Sequence, residues 1–292
     1  MMRFTPMTGV YSTSRTADRM ADHNSVREGI KTLNGLVESA IVYFRPWMIE
    51  DGTMANVVRC ANVNGIRIIP GMRPDLAAQG HFESKNPPPW SQVNWDEVSR
   101  MMKAAMNITK KRDFFVVMEP AFNPEKPPTE DEFVYAMRAM YKTGAHVIMD
   151  RPYIDHEHIF RDTPWLRLAH ENLKSVWSLL NQRSMRIAPG ISYSLLANPK
   201  INDKQRWDAE DTMRDIVGND RFMRRYFVTA NGRWPGDSTT DYMKVSSDNE
   251  MFDFLDAIEH HAEEGDQPPI AYIHIDQFVD VCQQIRKAVT NG

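Results

Sequence analysis

The chain has 292 residues, 42% of them hydrophobic, which is enough to bury one large core. Its net charge is -4 and it contains no block of like charges, so neither nucleic acid nor an anionic membrane is expected as a main partner. The opening MMRFTPMTGV lacks the apolar core of a leader peptide, no run approaches the roughly 18 apolar residues of a membrane span, and Cys60 and Cys282 fall on segments not expected to meet. The expectation is a soluble, cytoplasmic protein with no disulfide and no zinc site.

Taken in order, β-rich runs recur along the whole chain: FTPMTGVY (4–11), AIVYF (40–44), IRIIPGM (66–72), FFVVME (114–119), HVIMD (146–150), RIAPGI (186–191), RYFVTA (225–230) and IAYIHI (270–275). They are near-continuously apolar rather than strictly alternating, as expected of strands covered on both faces. The intervals leave room for a crossover helix each time, which a parallel βαβ unit requires. Between them lie helix signals. Ser25-Val-Arg-Glu28, Asn94-Trp-Asp-Glu97, Thr129-Glu-Asp-Glu132 and Ser247-Asp-Asn-Glu250 read as capping boxes at helix starts. Gly65, Gly144, Gly218 and Gly265 stand where a left-handed helix cap precedes the next strand.

The connections have a polarity. Those from helix to strand are short, whereas 73–93, 151–163 and 231–246, from strand to helix, are long. In a closed (β/α)8 barrel the loops that follow the strands form the working face. An open doubly wound sheet would place a glycine-rich phosphate turn after its first strand, and TGVYSTSRT has a single glycine. The expected architecture is therefore α/β, one (β/α)8 TIM barrel spanning residues 1–292.

On that architecture the residues closing the strands gather at one rim: Tyr11, Arg45, Arg73, Glu119, Asp150, Ser192, Asn231 and Asp276, with His274 one inward step below Asp276. Burying such charges costs several kcal/mol unless they are paired, and a shared concavity supplies the pairs. Glu119 and Asp150 would stand on adjacent strands about 4.8 Å apart. Two carboxylates that close cannot both ionise cheaply, so one keeps its proton and becomes a general acid. Arg45 and Arg73 are placed to hold the other ionised or to grip an anionic substrate. A salt bridge between one of these acids and one of these arginines is the purely structural reading.

Four of the seven tryptophans lie in or beside strand-to-helix loops: Trp47, Trp90, Trp165 and Trp234. Indoles stack on the apolar faces of sugar rings and keep a donor for hydroxyls. Trp165 opens the amphipathic WLRLAHENL and reads as packing; for Trp47, Trp90 and Trp234 a stacking platform and a loop anchor weigh evenly. A barrel with a glutamate ending its fourth strand and aromatic residues around its mouth resembles the (β/α)8 glycoside hydrolases in layout. That resemblance implies a carbohydrate substrate, hydrolysis and no cofactor. Many members carry Asn-Glu at the fourth strand and a second glutamate at the seventh. Here Met118 precedes Glu119 and RYFVTANG offers Asn231 but no acid, which leaves Asp150 or Asp276 as the second carboxylate.

Other chemistries stay open. A metal-dependent hydrolase could draw on Asp150, His156 and His158 of the segment after the fifth strand, although metal sites favour rigid strand ends and no H-x-H occurs on the first strand. A phosphate site would use Gly232 and Gly236, and no G-x-S-x-G marks a serine nucleophile. A barrel that binds a glycan or serves assembly without catalysis is compatible with the same fold. The sequence points first to a glycosidase with Glu119 as acid and Asp150, then Asp276, as its partner. Tyr11, Arg45, Arg73, Ser192, Asn231 and His274 would contact the substrate, and Trp47, Trp90 and Trp234 would stack on it. Oligomeric state has no signature in the sequence.

Overall fold

The computed structural model describes residues 2–9, 16–72, 89–110, 115–118, 129–144, 146–149, 190–192, 223–230, 243–264 and 268–291. Nine strands are described: β1 (Thr5–Gly9), β2 (Ser39–Tyr43), β3 (Arg67–Met72), β4 (Phe115–Met118), β5 (His146–Met149), β6 (Gly190–Ser192), β7 (Met223–Thr229), β8 (Met243–Lys244) and β9 (Ile270–Ile273). The helices are α1 (Thr16–Thr32), α2 (Pro46–Glu50), α3 (Thr53–Val63), α4 (Trp95–Thr109), α5 (Glu130–Tyr141), α6 (Asp248–Glu264) and α7 (Phe278–Asn291). All eight strands expected from the sequence are present; β8, two residues long, is additional.

Every described ladder is parallel, and the strands run in the order β5-β4-β3-β2-β1-β9-β7-β6, with β8 joined to β7. That order is the chain order wound once around and cut between β5 and β6. It never reverses, so there is no switch point of the doubly wound kind. Successive crossovers in one direction put all their helices on one face of the sheet. The side chains agree: Val26 and Ile30 of α1, Val57 of α3, Val98 and Met102 of α4, Ala136 of α5, Phe254 of α6 and Val281 of α7 share one cluster with Phe4, Val42, Ile68, Val228 and Ile273 of the sheet. A parallel sheet with helices on one face must coil to bury the other, and the result is the (β/α)8 TIM barrel. Residues 150–189, between β5 and β6, lie outside the described residues.

The second face is the barrel interior. Met7, Ile41, Tyr43, Ile69, Ile270 and Tyr272 are buried but stand apart from the helix-facing cluster. Registers Met7↔Ile41, Ile41↔Ile69 and Met7↔Tyr272 put them at matching heights. Burial of each side chain of this size is worth about 1.5–3 kcal/mol. Each strand therefore buries two rows of side chains, which is why its sequence shows no alternation.

The helices follow from periodicity and caps. α3 buries Met54, Val57, Val58 and Ala61, α4 buries Trp95, Val98, Met101, Met102 and Ala105, and α7 buries Phe278, Val281, Cys282 and Ile285, each a stripe of 3.6-residue period. Thr129 and Glu132 form a reciprocal capping box at α5, with Thr129 N–H to Glu132 Oε2 at 2.8 Å and Glu132 N–H to Thr129 Oγ1 at 3.3 Å. Ser247 and Glu250 do the same for α6 at 3.0 and 3.3 Å. At α4, Asn94 accepts from Glu97 N–H, while the Glu97 carboxylate turns to Arg100 at 2.6 and 2.7 Å. Ser25-Val-Arg-Glu28 is a correction: it lies inside α1, which begins at Thr16. Gly65 and Gly144 adopt φ of 70° and 76° after α3 and α5. Gly218 and Gly265 lie outside the described residues. Cys60 and Cys282 are free thiols.

Candidate active site

The C-terminal ends of the strands define the mouth, and the described part of it runs from β7 through β9 and β1 to β3. At β2 the interior position nearest the mouth is Tyr43. Its ring lies over Gly71 of β3, where any Cβ would come within 2.8 Å of the aromatic carbons, so a glycine is what allows a tyrosine to lie flat across the neighbouring strand. The chain leaves β2 through Arg45, which is extended (φ -87°, ψ 156°), and Pro46 opens α2. Arg45 is half-buried two residues above Tyr43, on the interior parity. Trp47, in α2, is half-buried and packs against the helix-layer core.

The first residues of the β3–α4 connection, Arg73 included, lie outside the described residues. Its end is described: Trp90 begins a short 3-10 turn, is 2% exposed, and packs at 4.8 Å against Trp95. The Trp95 Nε1–H donates to the Trp90 carbonyl at 3.3 Å. Of the two roles the sequence left open, Trp90 takes that of loop anchor; a ring so covered is no stacking platform.

Beyond β1, β9 and β7 pair through Val228↔Ile273, and β9 ends there, two residues earlier than the sequence pattern suggested. The cause is a compact turn. His274 is extended (φ -62°, ψ 144°) and caps a 3-10 turn over Ile275–Gln277. Its carbonyl accepts the Gln277 N–H at 3.0 Å, and its Nδ1 accepts the Asp276 N–H at 3.3 Å. Gln277, 8% exposed, turns its side chain back to β7, where Oε1 accepts the Ala230 N–H at 2.6 Å. A side chain thus provides the acceptor that β9, having turned away, no longer offers. Sequence reasoning missed Gln277, because a glutamine one turn beyond a strand carries no signal of which backbone group it meets.

Asp276 is correspondingly not a strand-end acid. It belongs to the turn, its side chain is 67% exposed, and its Oδ2 lies 3.3 Å from His274 Nδ1. The His274 ring is 13% exposed. Burial pushes its pKa below the usual histidine value, against a weaker upward pull from Asp276. At neutral pH the imidazole is neutral.

β8 modifies the rim further. Val228 is in register with both Met243 and Ile273, and a strand residue has one neighbour on each side, so β8 lies on the β6 side of β7. β6 meets β7 at 223–225 and β8 meets it at 228–229, so β7 is flanked by one strand low and another high. The Val245 N–H donates to the Thr229 carbonyl at 3.0 Å and continues that contact. Both ends of the 231–242 connection are thereby tied to the barrel wall.

Of the remaining residues expected at the mouth, Ser192 is the last residue of β6, in register with Arg225. Tyr11, Arg73, Glu119, Asp150, Asn231 and Trp234 lie outside the described residues, as do His156, His158 and Trp165. Among the described residues, Tyr43 and Arg45 stand at the β2 end of the mouth, with Trp47 packed toward the helix layer, and His274, Asp276 and Gln277 stand at the β9 end, one strand away across β1.

No family model matches the chain, and no curated protein does. Solved structures do. The glycoside hydrolase domain of PgaB (BpsB) from Bordetella bronchiseptica aligns over 99% of this chain and 99% of its own, with a TM-score of 0.54 and 7% identity. The spore cortex-lytic enzyme SleL from Bacillus cereus aligns over 100% of this chain and 75% of its own, with a TM-score of 0.55 and 10% identity. SleL from Bacillus megaterium covers 99% and 73%, with a TM-score of 0.51 and 10% identity. Identities this low show the fold alone. What the chain shares with these proteins is the layout of a TIM barrel, a layout on which glycoside hydrolases are built.

Proposed function

We propose that this chain is a glycoside hydrolase that cleaves a glycosidic bond at the C-terminal mouth of its barrel, with Glu119 as general acid and Asp150 as nucleophile or base. One observation carries the reading. The described ladders of β3, β4 and β5 end level with one another, Met72↔Met118 and Met118↔Met149. The next residue of each segment is Arg73, Glu119 and Asp150. By strand alternation, counted in steps of two from Gly71, Val117 and Ile148, the sequence would carry the same three onto the interior parity of Tyr43, Ile69 and Tyr272. Two acids and an arginine at one level of a barrel mouth form a set that hydrolysis of an acetal needs: a proton donor for the leaving oxygen, a carboxylate for the anomeric carbon, and a cation that keeps the second acid ionised. In such a setting burial and the neighbouring carboxylate would raise the pKa of the acid, and the arginine would lower that of its partner.

Asp276 stays second to Asp150 as the partner acid, because its side chain is 67% exposed on the 275–277 turn and is not enclosed by the mouth. Arg45, Tyr11, Asn231 and His274 would bind hydroxyls or the carboxylate of an acidic sugar, and Trp47 and Trp234 would stack. Carboxyls on adjacent strands about 4.8 Å apart would favour the roughly 5–5.5 Å separation of retaining enzymes over the wider gap of inverting ones. The test is a screen of chromogenic glycosides and polysaccharides with the wild-type chain beside Glu119→Gln. Turnover with retention, falling by about 10²-fold or more in the variant, is the expected result. Turnover undiminished by the substitution removes Glu119 from the mechanism.

A further inference from the structure

The C-terminal ends of α1 and α7 meet at the face of the barrel opposite the mouth, where the chain passes from α1 into the start of β2. Between them lies an open groove of about 640 Å³, lined by Lys31, Asn34, Gln283, Arg286 and Lys287. That is room for a small organic ligand. Among the described residues that line it, none is a carboxylate. Arg286, half-buried, is pinned along one edge: Nε donates to the Thr32 carbonyl at 2.6 Å and the terminal nitrogen beside it donates to the Asn34 carbonyl. Two carbonyls left orphaned by the end of α1 are thereby satisfied. A guanidinium is a rigid planar fork, so its outer N–H groups stay fixed in direction. Among the described residues Arg286 makes no ion pair, and that outer end of the fork keeps its donors for another acceptor.

Lys31 and Lys287 add one ammonium from each helix. Each has a carboxylate neighbour, Glu28 at 2.6 Å and Asp248 at 3.4 Å, but both pairs are exposed, with Glu28 58% and Asp248 78% open to solvent. Exposed pairs of this kind are weak, and a lysine leaves one for a better acceptor at little cost. The carboxamides of Asn34 and Gln283 make no hydrogen bond among the described residues and supply neutral donors. The hydroxyls of Thr32 and Thr290 do not, because they donate to the Glu28 and Arg286 carbonyls within their own helices. Cations near two helix C-termini offset the negative ends of the dipoles. That alone does not call for a pinned guanidinium, two ammoniums and two carboxamides around one groove whose described lining holds no acid. We propose that this groove binds a phosphate or sulfate group, free or as the ester of a small organic molecule, with Arg286 gripping its oxygens and Lys31 and Lys287 neutralising its charge. The site lies at the other end of the barrel from the mouth and does not depend on the glycoside hydrolase reading.

The experiment follows ¹H–¹⁵N spectra of the full chain at constant ionic strength during titration with sodium phosphate, sodium sulfate and glucose 6-phosphate, with sodium chloride and glucose as controls. Saturable shifts are expected at the amides of 31–34 and 286–290 and at the Arg286 Nε–H, fitting one Kd for each ligand. Lys31→Gln/Lys287→Gln should weaken binding by about tenfold or more. Lys103→Gln/Lys142→Gln, which removes the same charge from exposed positions outside the groove, should leave it unchanged. Tighter binding of glucose 6-phosphate than of phosphate supports an ester whose organic part fills the groove; equal binding supports recognition of the oxyanion alone. Shifts that do not saturate, that chloride reproduces, or that persist at full strength in Lys31→Gln/Lys287→Gln overturn the proposal.

Discussion

Replacing Gly29 of α1 by alanine sets two principles against each other, and the structure decides between them. Alanine is favoured over glycine within a helix by about 0.8–1 kcal/mol, so a reading by propensity makes Gly29→Ala stabilising. The added methyl would, however, meet the ring of Phe278, 3.3 Å from Cγ and closer still to Cδ1 and Cε1. Phe278 is fully buried in the core and has no open space to rotate into. Overpacking of this kind costs about 1–3 kcal/mol, and contact with three ring atoms belongs in the upper part of that range. The net expectation is a loss of about 1–2 kcal/mol, read as a lower urea midpoint at unchanged m value. Phe278→Leu supplies the control. With the ring gone the methyl fits, and a double-mutant cycle should show coupling of about 1 kcal/mol or more. A higher midpoint for Gly29→Ala, or no coupling, refutes the packing account.

Two further perturbations address stability. The Arg286 side chain of α7 caps the C-terminal end of α1: its Nε donates to the Thr32 carbonyl at 2.6 Å and a terminal nitrogen donates to the Asn34 carbonyl. Arg286→Ala should cost about 1–2 kcal/mol in urea unfolding, with Arg286→Lys recovering only part because one ammonium cannot reach both carbonyls as a fork does. The second is pH. His23 and His274 both have pKa values held below the ordinary histidine value, chiefly by burial; Arg27 adds to the effect at His23, while Asp51 and Asp276 oppose it at the two sites. A depressed folded-state pKa means the unfolded chain protonates first, so their contribution is present in full above the unfolded value and is lost as pH falls below it. The urea midpoint should decline between pH 7.5 and 5.5, and the decline should shrink in His23→Gln/His274→Gln; an undiminished slope in that double variant would show that other groups carry it.

The strands were legible because a barrel strand buries both of its faces: runs such as AIVYF and IRIIPGM have no polar side to hide among loops. Caps were legible where the side-chain geometry is local, as at Thr129 and Ser247. Ser25-x-x-Glu28 misled because both residues are tolerated inside a helix, and the polar TADRMADHN before it offers no periodicity to reveal that α1 has already begun. Trp90 was ambiguous because what buries it is Trp95, five residues on, a separation that marks no helix face in advance. Asp276 was placed too high in the site because a strand's end cannot be read when the next residue, His274, caps a turn with its own ring. The Gln277–Ala230 contact joins residues 47 apart, and β8 is two residues of no particular pattern; only the pairing of β7 with β9 and β8 brings such pieces together.

The pairing of β1 with β9 has a consequence for how the chain is made. β1 precedes β9 in the chain, yet Thr5 and Met7 find their second neighbours in Ile270 and Tyr272, and the carbonyls at the end of α1 wait for Arg286. Until β9 and α7 have been made, a growing sheet therefore exposes hydrogen-bonding groups along β1 and β7 that could pair with another nascent chain. A chain arrested just before residue 270 should be far more prone to aggregate than one that continues through α7.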